Sequence, residues 1–285
     1  MEERQIAYTD EITVMYEETV ENLRIKNHYH NTYELIYIIE GIASIEINSR
    51  KYEAFPGSLI FINHLESHGV EVLQVPYNRY YLLIKPQFFQ KIIDDRRLIS
   101  IFTHRPEDFL HIIRLNENEK ESVTSLFMQI KEELDSKLEL RHSGAAALMQ
   151  LLFIHLYRNH RPNFPFTELS GPMNIIRQVQ EYIDEHYLEP VKLKEVSDMF
   201  FMDMCYISRL FKKISGFSFK EYLILQRLSA AKDLLVNGNM SITQVCINSG
   251  FCNVNHFIRT FKQNEGISPY QYRKKYQKTL EILPG

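Results

Sequence analysis

The stretch HYHNTYELIYIIEG, residues 28–41, places histidines at i and i+2, a glutamate four residues after the second, and a glycine seven residues further on. Neutral imidazoles with a carboxylate form a donor set suited to a first-row metal ion. The same groups donate to and accept from the hydroxyls of a polar organic molecule. The residues after Tyr33 are β-branched and aromatic, so the segment reads as a strand. Alternate residues of a strand share a face, so His28 and His30 point together. A second set of chemical interest lies far downstream. YISRLFKKISGFS (206–218) recurs as HFIRTFKQNEGIS (256–268) at an offset of 50, pairing Arg209 with Arg259, Phe211 with Phe261 and Lys212 with Lys262. Upstream, LKEVS (193–197) resembles ITQVC (242–246) at an offset of 49. Each unit is a short helix, a tight turn and a second helix with a basic exposed face, which is a helix-turn-helix used twice. Small polar side chains at the start of such a helix reach base edges, and Arg and Lys beyond them engage phosphate or guanine.

The elements that must position these residues divide the chain in two. Its 285 residues, 45% hydrophobic and 24% charged, suffice for two ordinary globular cores. No apolar run approaches the ~20 residues of a membrane helix. The polar start MEERQIAYTD does not read as a secretory signal, and three cysteines (Cys205, Cys246, Cys252) form no disulfide framework, so a cytoplasmic setting is expected. Residues 1–172 hold 18 basic against 25 acidic side chains, a balance of −7, and residues 173–285 hold 15 against 11, a balance of +4. That asymmetry directs a polyanion to the C-terminal part. Residues 8–85 read as strands, with a hairpin turn at NSRK (48–51) and a type II turn at FPGS (55–58). Two helices follow: one with a stripe of Val123, Leu126, Phe127, Ile130 and Leu134, and the more apolar SGAAALMQLLFIHLYRNH. The second must bury against its own chain or against a second copy. RPNFPFTELSGP (161–172) reads as a linker. Beyond it, Pro172 suits a helix start, SFKE, SITQ and SPYQ fit capping boxes, and Gly216, Gly238 and Gly266 fall at helix ends.

The downstream segments SRLFKKISGFSFKEYLILQRLSAAKDLL and SITQVCINSGFCNVNHFIRTFKQNEGISPYQYRK resemble the AraC/XylS-family DNA-binding domain. The spacing H-x-H-x3-E-x6-G, with PGSLIFINHLESH (56–68), resembles the cupin barrel that serves such regulators as a sensor domain. The resemblance implies an α+β chain of two domains: a cupin-like β-barrel with a helical dimerisation segment (1–160), the linker (161–172), and an all-α double helix-turn-helix domain (173–285). It implies base- or backbone-facing positions at Met204, Cys205, Ser208, Arg209, Lys212 and Lys213 after a cap at Asp203. In the second unit, with Cys252 as cap, they are Asn253, Val254, Asn255, His256, Arg259 and Lys262. Ile207, Leu210, Phe211, Phe257 and Phe261 are assigned to core. Phe201 stands where the family usually has glycine. In the barrel, His28, His30, Glu34 and His68 (or His64), with Tyr37 nearby, are the candidate effector contacts. The implied partners are double-stranded DNA, a small polar effector such as a sugar, a second copy of the chain and, for an activator, RNA polymerase. No catalytic residue, metal or cofactor is expected. The alternative is a metal-dependent cupin enzyme or metal sensor fused to a DNA-binding domain.

Overall fold

The computed structural model describes residues 11–103, 105–106, 109–166 and 171–280, which fall into two compact units parting between residues 166 and 171. The first unit holds seven antiparallel strands among the described residues: β1 (Ile12–Thr19), β2 (Arg24–His28), β3 (Tyr33–Ile47), β4 (Arg50–Ala54), β5 (Ser58–Ile62), β6 (His68–Ile84) and β7 (Ile112–Arg114). They run in the order β1-β6-β3-β5-β7, with β2 on β6 and β4 on β3. β3 and β6 pair along nearly their whole length, from Tyr33↔Ile84 to Ile47↔His68, with register shifts between Ile38 and Ala43. Gly41 sits in that bend at φ +83°, and a Cβ there would lie 2.3 Å from the Pro76 carbonyl oxygen, so only glycine fits. Both expected turns form. Asn48 and Ser49 take φ +48° and +67° between Ile47 and Arg50, the geometry of a two-residue hairpin loop. Ser58 N–H donates to Phe55 O at 2.9 Å across Pro56-Gly57.

The alternation of β3 builds two cores. Ile36 and Ile38 face the barrel interior with Ile60, Ile62 and Tyr77. Leu35 and Tyr37 face a layer of helices, α1 (Pro86–Ile92), α2 (Arg96–Thr103), α3 (Glu117–Asp135) and α4 (Arg141–Asn159). The expected stripe of α3 is buried at Val123, Leu126, Phe127 and Ile130, and Asn116 and Glu119 cap it with a complete capping box. α4 buries Met149, Leu152 and Phe153 beside α3 within its own chain. The segment expected to be a linker is structured in part. A 3-10 turn spans Arg161–Asn163, Phe164 is buried in the first unit's core against Tyr157, and Gly171 and Pro172 already begin a helix. An aromatic directly after the 3-10 turn has apolar surface to hide, and this one does so instead of spacing the domains. Residues 167–170 of the expected linker lie outside the described residues.

The second unit contains α5 (Gly171–His186), α6 (Leu193–Met199), α7 (Met204–Ser215), α8 (Phe219–Asn237), α9 (Ile242–Asn248), α10 (Val254–Glu265) and α11 (Pro269–Leu280). The boxes at Ser218/Glu221 and Ser241/Gln244 cap α8 and α9, and Ser268 and Gln271 bond reciprocally at the start of α11. Gly216 and Gly266 end α7 and α10 in the left-handed region, whereas Gly238 ends α8 in an extended conformation. α8 serves two small cores. Tyr222 meets Phe211 of α7 at 5.5 Å between ring centres, while Leu228, Ala231 and Leu235 pack with Phe257 and Phe261 of α10. A buried polar clip marks each half. Tyr222 donates to Asp184 at 3.0 Å, and Lys232 pairs with Glu265 at 3.3 Å. Burial pushes the Asp184 carboxyl up to about 8.

The two helix-turn-helix turns differ at one residue. Gly250 turns between α9 and α10 at φ +84°, and a Cβ there would meet Tyr187 O at 2.6 Å. The equivalent Phe201 adopts φ +52° with its side chain 97% exposed. A β-carbon in the left-handed region costs ~1–2 kcal/mol, and an exposed ring returns little burial energy. Phe201→Gly is therefore expected to raise stability by up to about 1.5 kcal/mol, once glycine's own ~0.5–1 kcal/mol entropic cost is subtracted. Chemical denaturation of the full chain measures it, and an unchanged or lowered midpoint would contradict the strain.

Candidate ligand site and nucleic-acid interface

Three distant segments bring the barrel's polar residues together. His28 ends β2 directly opposite His68 at the start of β6. His30 lies in the loop before β3, and Glu34 is the first inward-facing residue of that strand. Glu34 Oε2 lies 3.0 Å from His30 Nε2 and 3.1 Å from His68 Nε2. The His28 and His68 rings are 4.3 Å apart, those of His30 and His68 4.9 Å, and one ring nitrogen from each of the three lies within 4.8 Å of the others. His68 Nδ1 is 2.9 Å from Glu66 O, and His28 Nδ1 is 3.0 Å from Lys26 O. A carbonyl only accepts, so both Nδ1 atoms carry protons and both Nε2 atoms are presented to the cluster. Glu66 is itself fixed by Arg105 and, at 3.1 Å, by His111.

The electrostatics divide the imidazoles. Burial, with His68 and His30 nearby, pushes His28 down to about 3. Burial alone would also lower His68, but hydrogen bonding and charge from Glu34 outweigh it and raise it. Burial would raise Glu34, yet His30 and His68 hold it well below the usual carboxylate range. The pocket therefore joins an anionic carboxylate, a proton-holding His68 and a neutral His28. Of the two candidates for the last position, the structure places His68 in the cluster. His64 instead bonds Asn63 Oδ1 at 2.8 Å and meets the Tyr33 ring.

Tyr37 does not join this group. Three residues on from Glu34, it falls on the opposite face of β3. There its hydroxyl is 3.0 Å from Thr124 Oγ1 and its ring stacks on Phe127 at 5.4 Å, a packing role against α3. The sequence reading misses three interior residues on β6, Tyr77, Arg79 and Tyr81. Arg79 is fully buried, 4.5 Å from the Tyr77 ring centre and 4.8 Å from that of Tyr81, and it pairs with Glu17 at 2.7 Å. The Tyr77 hydroxyl is buried without a hydrogen-bond partner among the described residues. The signal was period two along YNRYY, which puts residues 77, 79 and 81 on one face.

In the second unit, the outward faces of α7 and α10 carry most of the expected interface residues. Ile207 and Phe211 are buried; Cys205, Arg209 and Lys212 lie on the opposite side at helical spacing, with Met204 and Lys213 also exposed. In α10, Phe257 and Phe261 are buried, and Asn255, His256, Arg259 and Lys262 are exposed. Ser208 and Val254 are half-buried, as is Leu210, which had been assigned to core. Asp203 caps α7, accepting from Tyr206 N–H at 2.9 Å. The cap of α10 is Asn253, which accepts from His256 N–H at 2.9 Å; Cys252 merely precedes it. Asn253 is thus occupied with its own helix, as the offset of 50 from Asp203 implied. The same offset equates exposed Tyr206 with His256, a position that the sequence reading leaves out.

The chain matches the description of an AraC-like ligand binding domain over residues 13–156 and that of a helix-turn-helix domain over residues 196–275. It is 24% identical over 256 residues to the HTH-type transcriptional activator RhaS of Enterobacter sp. (strain 638), covering 89% of both chains. It is 34% identical over 115 residues to the uncharacterized HTH-type transcriptional regulator YijO of Escherichia coli (strain K12), a match spanning 41% of that protein. Its fold is similar to that of ToxT from Vibrio cholerae, with a TM-score of 0.61 at 15% identity over 93% of this chain and 99% of that one.

The ionisation of the barrel cluster is directly measurable. In NMR titrations of metal-free protein, His28 should stay neutral down to about pH 3, and His68 should hold its proton above its ordinary value of 6.5. Glu34→Gln should drop His68 below 6.5, since burial persists without the charge. The unfolded imidazole of His28 binds a proton near 6.5, so this residue costs stability as pH falls below that. The contribution of His68 is complete below 6.5 and fades as pH rises through its folded value. Identical titration of the two histidines would contradict this arrangement.

Proposed function

The chain belongs to the AraC family of DNA-binding transcriptional regulators with an N-terminal ligand-binding domain, and from that premise we propose that a small polar effector, bound at His28, His30, Glu34 and His68, governs its hold on DNA. The supporting observation is the buried Glu34 carboxylate set between two imidazoles inside the barrel. Carboxylate and imidazoles together accept from and donate to vicinal hydroxyls, the pattern of a sugar or related polyol. ToxT was solved with an unsaturated fatty acid bound. The charged and phenolic side chains in this barrel suit a polar molecule better than an acyl chain. The effector acts by favouring one arrangement of the chain, since equal affinity for two arrangements shifts neither. His30→Ala should abolish the effector response in a reporter assay while leaving effector-free DNA binding in place. Loss of both, in protein that still folds, would count against the assignment.

A divalent metal ion is the second reading, favoured by the three imidazole nitrogens within 4.8 Å of one another. His28, His30 and His68 with Glu34 fit such an ion, which would supply a Lewis-acidic centre when bound. Metal analysis of protein purified without chelator separates the readings. Stoichiometric zinc, manganese or iron, lost on His28→Ala, selects the ion.

DNA contact falls to α7 and α10, in the cytoplasm where DNA lies. Arg209→Ala or Arg259→Ala should each cost ~1–3 kcal/mol of specific binding where the contact is to a base. Lys212→Ala should weaken all sequences alike and flatten the salt dependence by about one unit of slope. Mobility-shift titrations in a salt series read both, and unchanged affinity in both arginine variants would refute the helix assignment. Leu138, Leu140 and Leu151 are exposed on or beside α3 and α4, and Met128 with them. That surface supports a homodimer through these helices, bringing two DNA-binding units to one operator and, in an activator, to RNA polymerase. Sedimentation at micromolar concentration should give twice the chain mass, and a monomer with and without DNA would exclude it.

A further inference from the structure

The two DNA-facing helices are chemically unlike, although the repeat equates them position by position. Met204, Cys205 and Tyr206 stand where the second unit has Val254, Asn255 and His256, while Arg209 matches Arg259 and Lys212 matches Lys262. One helix therefore opens with an exposed thioether, a thiol and a phenol, the other with a half-buried isopropyl group, an amide and an imidazole. Met204 and Tyr206 are 45% and 40% exposed, so neither serves mainly as core. Just ahead of them stands Phe201, fully exposed at φ +52°. An apolar ring in strained backbone that packs on nothing in its own fold points to an occupant outside it. The charge of the element names the class of that occupant. α7 carries Arg209, Lys212 and Lys213 and no acidic residue within Met204–Ser215, which suits a polyanion.

The major groove offers such a surface one apolar group, the 5-methyl of thymine. Building on the DNA-binding reading above, we infer that the first helix-turn-helix reads its half-site through thymine methyl groups packed by Met204 and Tyr206, with Phe201 at the edge of the contact. The second reads its half-site through hydrogen bonds from Asn255, His256 and Arg259. Met204 suits the first role because its unbranched, polarisable chain adapts to a shallow apolar target. Asn255 suits the second because its amide can bond adenine N6 and N7 together. The operator is then asymmetric within one protein chain: a methyl-rich half beside a half defined by donors and acceptors.

The full chain enriches its binding sites from a pool of random duplexes, and each thymine of the enriched site is then replaced by deoxyuridine. That change removes the methyl and leaves the base-pairing edge intact. The expected result is a loss of about fourfold at each sensitive thymine of one half-site, from the ~0.8 kcal/mol of one buried methyl-sized group, with the other half-site unaffected. Met204→Ala should lower affinity for the thymine site and abolish the deoxyuridine effect there, and Arg259→Ala should leave that effect in place. Phe201→Gly should lower affinity at the same half-site even as it stabilises the fold. Met204→Ala and Tyr206→Ala both replace exposed side chains of α7, and circular dichroism checks that they stay helical. Tolerance of deoxyuridine throughout the site, or an undiminished penalty in both Met204→Ala and Tyr206→Ala, would overturn the inference. Failure to enrich any sequence would overturn the DNA-binding reading first, and this inference with it.

Discussion

Most of the first unit depends on the two-sidedness of β3. Its side chains alternate between a barrel interior and a layer of helices, so the one strand supplies residues to both cores. Glu34, Ile36 and Ile38 point one way, and Leu35 and Tyr37 the other. A slip of one residue would expel Glu34 from its imidazoles and bring Tyr37 into the barrel. The register is held by pairing to β6 on one side and β5 on the other, and the bend at Gly41 lets the strand serve both halves of the barrel. The glycine that ends the histidine motif is thus a requirement of backbone approach, not of ligand chemistry.

Inside that frame, the polar cluster survives burial because its charges are matched. A carboxylate in an apolar interior is tolerated when partners replace its lost water. His30 and His68 do so for Glu34, and the Thr32 hydroxyl and the Glu66 carbonyl in turn orient these two imidazoles. Deeper in, Glu17 and two tyrosine rings do the same for Arg79.

The sequence made the helix-turn-helix repeat, its caps and the histidine cluster legible, because each is written in local spacing. What stayed hidden depends on which face a residue takes. Tyr37 lies three positions from Glu34, and only period two, applied strictly, separates them. Asn253 reads as a base contact only if Cys252 is the cap, whereas the pairing with Asp203 points to Asn253 itself. Tyr206 has no place in the sequence reading, although its repeat partner His256 does. Phe164 looked like linker because prolines surround it, and tertiary packing overrode that signal. Arg79 was invisible as a buried charge because its partner Glu17 lies on another strand, 62 residues away in sequence.

α8 joins the two halves of the DNA-binding unit as one uninterrupted run of 19 residues, with no glycine or proline in it. A helix couples distance to rotation, roughly 1.5 Å and 100° for each residue. A single residue inserted into α8 would therefore turn the second half about its axis by more than a quarter of a circle while lengthening the span only slightly. Four residues, close to one full turn, would nearly restore the phase but lengthen it by about 6 Å. The connector thus behaves as a screw of fixed pitch, and the distance and angular phase between the two halves cannot be adjusted independently. Change in the spacing of the DNA site must come from the duplex bending to meet the protein, or in whole-turn steps.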